Sequence, residues 1–161
     1  MASHIERRKF LATLGGAAAA WPLAARAQQP ERVRRIGVLM NLAESDPETR
    51  ARRAAFLQAL QELGWSEGRN VRIDYRWGVG DSDRHRKNAA ELVAHEPDII
   101  LAHGSPIVRA LLEATRTVPI VFVSTADPVG GGFVDSLARP GGNATGFMLY
   151  ESRRWRSASH R

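Results

Sequence analysis

The sequence predicts an α/β domain: a mostly parallel sheet with helices on both faces. Three observations carry that expectation. Short β-branched and apolar runs recur along the chain, each followed by a polar turn and then by a stretch of helical character. The spacing suits βαβ units, whose crossovers are right-handed and place helices on the sheet faces. Gly, Pro and Asp fall at the joints rather than inside the runs.

Taken in order, "VRRIGVLM" (Val33–Met40) reads as a buried strand. Asp46-Pro47-Glu48 is a helix start, with a capping Asp, a Pro in the first turn and an acid near the positive end of the dipole. The helix continues through "TRARRAAFLQALQELG", with Ala55, Phe56, Leu57, Ala59, Leu60 and Leu63 as its apolar stripe and Gly64 as its C′ residue. In "RNVRIDYRW", Val71, Ile73, Tyr75 and Trp77 alternate with Arg72, Asp74 and Arg76, which predicts a strand near a sheet edge.

Asp81 or Ser82 caps the next helix, in which Ala89, Leu92 and Val93 face inward. "PDIILAHG" is a short apolar third strand ending at Gly104, and Ser105-Pro106 opens a third helix. "VPIVFVS" is the fourth strand. The loop "TADPVGGGF" follows, then an expected short helix over "VDSLARPGG" and a fifth strand in "NATGFML".

The net charge of +6 belongs to the chain ends. Residues 28–150 hold 15 basic and 15 acidic side chains, so the basic footprint of a nucleic-acid-binding domain is absent there. No cysteine is present, which excludes disulfides, thiolate metal sites and a cysteine nucleophile. No glycine-rich phosphate loop follows the first strand.

Residues 1–27 have the parts of an export signal: a charged start ending at Lys9, a mildly apolar stretch from Phe10 to about Ala25, and Ala25-Arg26-Ala27 as a cleavage site before Gln28. Arg7-Arg8-Lys9-Phe10-Leu11 resembles a twin-arginine signal, with an ordinary secretory signal as the alternative. Residues 28–150 form the α/β lobe. Residues 151–161, "ESRRWRSASHR", are an irregular basic tail without an apolar period. With 21 Arg against Lys9 and Lys87, the tail is expected to be the frameshifted end of a protein about twice this length.

In an open parallel sheet, ligands bind beyond the carboxyl ends of the strands, which singles out the loops Asn41–Asp46, His103–Ile107, Ser124–Gly132 and Thr145–Phe147. Ser105 at a helix N-terminus either caps that helix or helps bind an anion. Asp127 either accepts from a ligand amine or closes an Asx-turn. His103 has no second His at ligand spacing, so metal binding is not expected. No paired carboxylates, activated nucleophile or cofactor fingerprint stands out, and the chain is not expected to be an enzyme or to need a cofactor.

"RRIGVLM", "FLQALQELGWSEGRNVRIDYRW" and the run from Ala89 to Phe147, with its Asp-Pro-Val-Gly and Arg-Pro-Gly-Gly-Asn-Ala-Thr-Gly segments, resemble the ABC-transporter substrate-binding proteins of the tryptophan/tyrosine-type branch. The resemblance covers residues 33–150. It implies the type I periplasmic-binding-protein fold, two α/β lobes closing on a small molecule, of which this chain holds the N-terminal lobe. It also implies a periplasmic location, an ABC permease in the inner membrane as partner and a ligand of the aromatic amino-acid class. By position, the contacts of this lobe would be Asn41, Leu42, Gly104, Ser105, Ser124, Thr125 and Asp127. The competing readings are a non-functional truncated fragment and a small exported α/β enzyme.

Overall fold

A computed structural model describes residues 32–148. The expected signal at 1–27 and the basic tail at 151–161 lie outside the described residues. Five strands alternate with three helices: β1 (Arg34–Met40), α1 (Pro47–Glu62), β2 (Val71–Trp77), α2 (Ser82–Ala94), β3 (Ile99–His103), α3 (Ser105–Ala114), β4 (Ile120–Thr125) and β5 (Ala144–Met148). The sheet order is β2-β1-β3-β4-β5, and every neighbouring pair is parallel. β2 is an edge strand, as its alternation predicts.

The chain moves outward from β1 to β2, then returns past β1 to β3 and continues to β4 and β5. The order therefore reverses between β1 and β3. In open parallel sheets this reversal point, where the exit loops of the two strands run in opposite directions, is where a ligand crevice is expected.

Alternation splits the strands between two faces. Leu39, Ile100, Ala102, Ile120, Phe122 and Ala144 face α2 and α3 and bury Ala89, Leu92, Ile107, Val108 and Leu111. Phe133 and Val134, from the segment before β5, complete that layer. On the opposite face Val38, Met40, Val71 and Ile73 meet Phe56, Leu57 and Leu60 of α1. Helices thus lie on both faces, but unequally. α1 is the single helix on its side among the described residues, where Val121 and Val123 stay half-buried and Phe147 is 73% exposed.

The helix ends follow the chemistry of their residues. Asp46 accepts from the Glu48 N–H at 2.7 Å, and Asp81 from the Arg84 N–H at 2.8 Å. Gly64 (φ 83) donates to the Gln61 carbonyl and Trp65 to that of Leu60, which is a Schellman closure needing a residue at positive φ.

Three expectations are corrected. Ala55, Ala59 and Leu63 do not face the core; all three are exposed, Leu63 by 75%. The stripe is narrower than its composition suggests because one helix covers only part of that sheet face. Ser105 does not cap α3: the N-cap is Gly104, without a side-chain bond. The segment Val134–Gly142 is not helical. Its N–H groups close turns instead, Asp135 to the Pro140 carbonyl and Ser136 to the Arg139 carbonyl. With Pro140 and two glycines behind it, the stretch is too short to repay helix nucleation.

Candidate functional site

The residues expected from sequence gather at the carboxyl ends of β1, β3 and β4, on both sides of the crevice. Asn41 follows β1 directly; its Oδ1 is buried and has no hydrogen-bond partner. Gly104 follows β3 with φ 93, and a Cβ there would stand 3.7 Å from Asn41 Cβ. The two residues therefore face each other across the point where the strand order reverses. Leu42 beside them is half-buried.

At α3 the first-turn carbonyl of Gly104 accepts from the N–H groups of Ile107 and Val108 at 3.1 and 3.2 Å. Pro106 has no N–H to offer, so the helix end has one donor fewer than an ordinary first turn. The Ser105 hydroxyl accepts from the Ala126 N–H at 3.2 Å and reaches the Ala126 carbonyl at 3.4 Å. It joins the start of α3 to the exit of β4.

β4 ends irregularly. Its register against β5 shifts between Phe122 and Thr125, and Ser124 sits inside that shift at φ 54. Non-glycine residues avoid this region unless their surroundings enforce it. Ser124 Oγ is held from outside by Arg52 Nη1 at 3.0 Å. Thr125 is fully buried, with its hydroxyl donating to the Val123 carbonyl at 3.4 Å. The residue as a whole is closed off, so the expected ligand contact at Thr125 is not open in this structure. Asp127, at φ 36, accepts from the Gly130 N–H through Oδ1 at 2.9 Å, and its carbonyl accepts from the Gly131 N–H. Of the two roles open to Asp127, the described contacts are those of turn closure. Val79, at the exit of β2, is β-branched at φ 52 and 49% exposed.

Sequence reasoning missed Arg52 and Glu48 and left His103 without a role. Arg52 donates to Glu48 Oε1 through both Nε and Nη2, so the pair occupies one face of the first turns of α1 beside the crevice. The signal was present: Glu48 and Arg52 are four apart in a helix that starts just after a strand's carboxyl end. His103 is 8% exposed, and neither ring nitrogen has a hydrogen-bond partner. Burial, and next the Arg52 cation, hold its imidazole below the ordinary value of 6.5; Glu48 and the residue's own backbone pull the other way. It is neutral at pH 7. Among the described residues no group of three or more His, Asp or Glu could hold a metal ion.

The crevice thus offers a rim of short polar side chains and backbone groups fixed by internal bonds. That arrangement suits contact with a ligand, and among the described residues of the rim no nucleophile is paired with a base. The family model for ABC transporter substrate binding proteins matches residues 35–152. The chain belongs to that family.

A curated relative in the family, the tyrosine-binding protein of Clostridioides difficile (strain R20291), is 35% identical over 97 residues, or 60% of this chain and 28% of the relative. Among solved structures, a ligand-free, open substrate binding protein with adhesive properties from Clostridium difficile superposes with a TM-score of 0.69 at 30% identity, over 75% of this chain and 40% of that one. An ABC domain in complex with L-Trp from Streptococcus pneumonia gives 0.65 at 29% identity, over 71% and 38%. The chain therefore spans well under half the length of these relatives, a share that matches one lobe of the periplasmic-binding-protein-like fold. The relatives are substrate-binding proteins and not enzymes.

Proposed function

We propose that this chain is the ligand-contacting N-terminal lobe of the solute-binding component of an ABC importer. Its ligand is a small molecule of the aromatic amino-acid class, and an inner-membrane permease receives it. The observation that carries the reading is the pairing of Asn41 and Gly104 across the strand reversal, where Asn41 Oδ1 is buried without a partner. A buried amide oxygen left unpaired costs about 1–3 kcal/mol, and a ligand N–H would recover that cost. The ligand-facing groups are Asn41, Leu42, Gly104 and Ser124, with Ser105, the Thr125 backbone and Asp127 shaping the loops behind them.

The names of the relatives support the ligand class. Affinity in such proteins comes from closing two lobes over the ligand and excluding water. One lobe supplies part of the contacts, so binding by this chain is weak, in the millimolar range. The test is calorimetric titration with L-tyrosine: micromolar binding by this lobe would contradict the dependence on closure. In a two-lobed protein carrying it, Asn41→Leu should weaken L-tyrosine at least tenfold, and unchanged affinity would sink the assignment of Asn41.

Periplasmic export is part of the proposal and rests on residues 1–27. Replacing Arg7 and Arg8 together by Lys should stop export through the twin-arginine route; continued secretion would assign the ordinary secretory route.

A further inference from the structure

On the sheet face away from α1, α2 and α3 lie side by side and leave a groove of about 240 Å³ between them. Pro106, Arg109, Ala110 and Glu113 of α3 line one side, and Arg86 of α2 stands on the other.

Arg109 and Glu113 are one turn apart on the exposed side of α3. Opposite charges at helical spacing often meet, as Glu48 and Arg52 do in α1 and Asp83 and Arg86 in α2. In both of those pairs the carboxylate comes first, the order that suits a helix; in α3 the cation comes first. Arg109 and Glu113 form no ion pair, with each other or with any other described residue. The Arg109 guanidinium rests instead over the Phe133 ring, 5.5 Å from its centroid, which steadies the side chain and leaves its charge unmatched.

Unmatched charges of opposite sign on one helix face are complementary to the same pattern read in reverse. A second α3 running antiparallel, related by a two-fold axis midway between positions 109 and 113, sets Arg109 against Glu113 of the partner subunit. The same operation sets Glu113 against the partner's Arg109. One contact closes both pairs, which is the self-complementarity an isologous dimer requires. Pro106 is exposed and Leu112 half-buried beside the charged residues, so apolar surface flanks the contact. The groove, floored by the small side chain of Ala110, leaves room for the arriving guanidinium.

A small anion is a poorer occupant. Arg86 is already matched by Asp83, and the Glu113 carboxylate would repel an anion held by Arg109.

We infer that the α2–α3 face is a self-association surface, on which a second copy of this chain docks by antiparallel pairing of α3 with α3, held by two reciprocal Arg109–Glu113 ion pairs. The contact is small and its charges are exposed, so the dimer is weak and the charges set its register more than its strength. The inference goes beyond the ligand reading and does not rest on it. Ser105 borders the groove, but its hydroxyl is bonded to Ala126 and takes no part.

The test is sedimentation of the 161-residue chain over a concentration series reaching about 1 mM, the range of weak contacts. It should show a reversible monomer–dimer equilibrium that added salt weakens. Arg109→Glu and Glu113→Arg each turn both reciprocal pairs into like-charge pairs, so each variant alone should dimerise at least about tenfold more weakly. Mixed in equal amounts, the two variants should form a heterodimer as tight as the wild-type dimer, because every pair is again opposite in sign. Rescue on mixing also excludes misfolding as the reason that either variant alone is monomeric. A wild-type chain that stays monomeric throughout, its α2–α3 face bare or covered by other polypeptide, would overturn the proposal. So would a dimer that both single variants keep, which would place self-association on another surface, or variants that stay apart when mixed.

Discussion

Arg52 Nη1 donates to Ser124 Oγ at 3.0 Å, a bond between residues 72 positions apart. It fastens the second turn of α1 to the one residue of β4 that has left regular strand geometry. Because Ser124 at φ 54 must be held by its surroundings, this contact is part of what keeps the β4 exit in place.

Removing the bond should loosen that exit first. For Arg52→Ala we expect a loss of about 1 kcal/mol in urea unfolding, the worth of a partly exposed bond from a charged donor. Amide exchange should accelerate at Thr125–Gly131 and stay unchanged in β1. The same variant should raise the His103 pKa toward the ordinary imidazole value, since the Arg52 cation is one of the causes holding it down. An NMR pH titration in which the His103 pKa falls would contradict this placement of the charge.

Gly78 is set by its neighbours rather than by its own backbone. A Cβ there would stand 2.2 Å from His85 Cδ2 and 3.2 Å from Ile107 Cδ1. His85 is buried at 3% exposure and cannot simply swing into water. Gly78→Ala should cost about 1–3 kcal/mol by overpacking. Adding His85→Ala should recover part of that loss, a coupling readable in a double-mutant cycle.

At Gly146 the obstacle is backbone. A Cβ would meet the Phe122 carbonyl oxygen at 2.0 Å and the Phe122 nitrogen at 2.7 Å. Neither can move without opening the β4–β5 pairing that runs through Phe122 and Gly146. Gly146→Ala should therefore destabilise by about 3 kcal/mol and expose the amides of β5 to exchange. A variant with native exchange along β5 would refute the pairing.

Two buried histidines give stability a pH dependence. Burial lowers the pKa of His85, with Asp81 opposing, and lowers that of His103. The unfolded chain takes up protons near pH 6.5 while the folded chain resists them, so the unfolded state binds more protons just below that pH. Stability should be flat above about pH 7 and fall as the pH drops below the ordinary imidazole value of 6.5. Replacing both histidines by Gln should flatten that slope in urea midpoints measured across the window. An unchanged slope would show that other groups set it.

The strands were legible because their signals are local. Val71, Ile73, Tyr75 and Trp77 alternate in the sequence and share one face in the fold, and Asp46, Gly64 and Asp81 mark helix ends by their own chemistry. The five-strand count and the carboxyl-end rim followed from the same signals. What stayed hidden depends on contacts far apart in sequence. Ser105 reads as a cap, but Ala126, 21 residues away, takes its hydroxyl. Thr125 reads as a polar rim residue, but burial turns its hydroxyl inward. Ala55, Ala59 and Leu63 read as core because periodicity counts apolar positions and not the width of the surface that covers them. Arg52 lacked a role until the end of β4 was placed beside α1.

The proposed ligand site is the rim at the reversal between β1 and β3, and amide shift mapping with L-tyrosine tests it most directly. It predicts saturable shifts at Asn41, Leu42, Gly104, Ser105 and Ser124–Asp127, with a dissociation constant in the millimolar range and with the amino ends of the strands undisturbed. Shifts centred elsewhere, or none at the solubility limit of L-tyrosine, would contradict it.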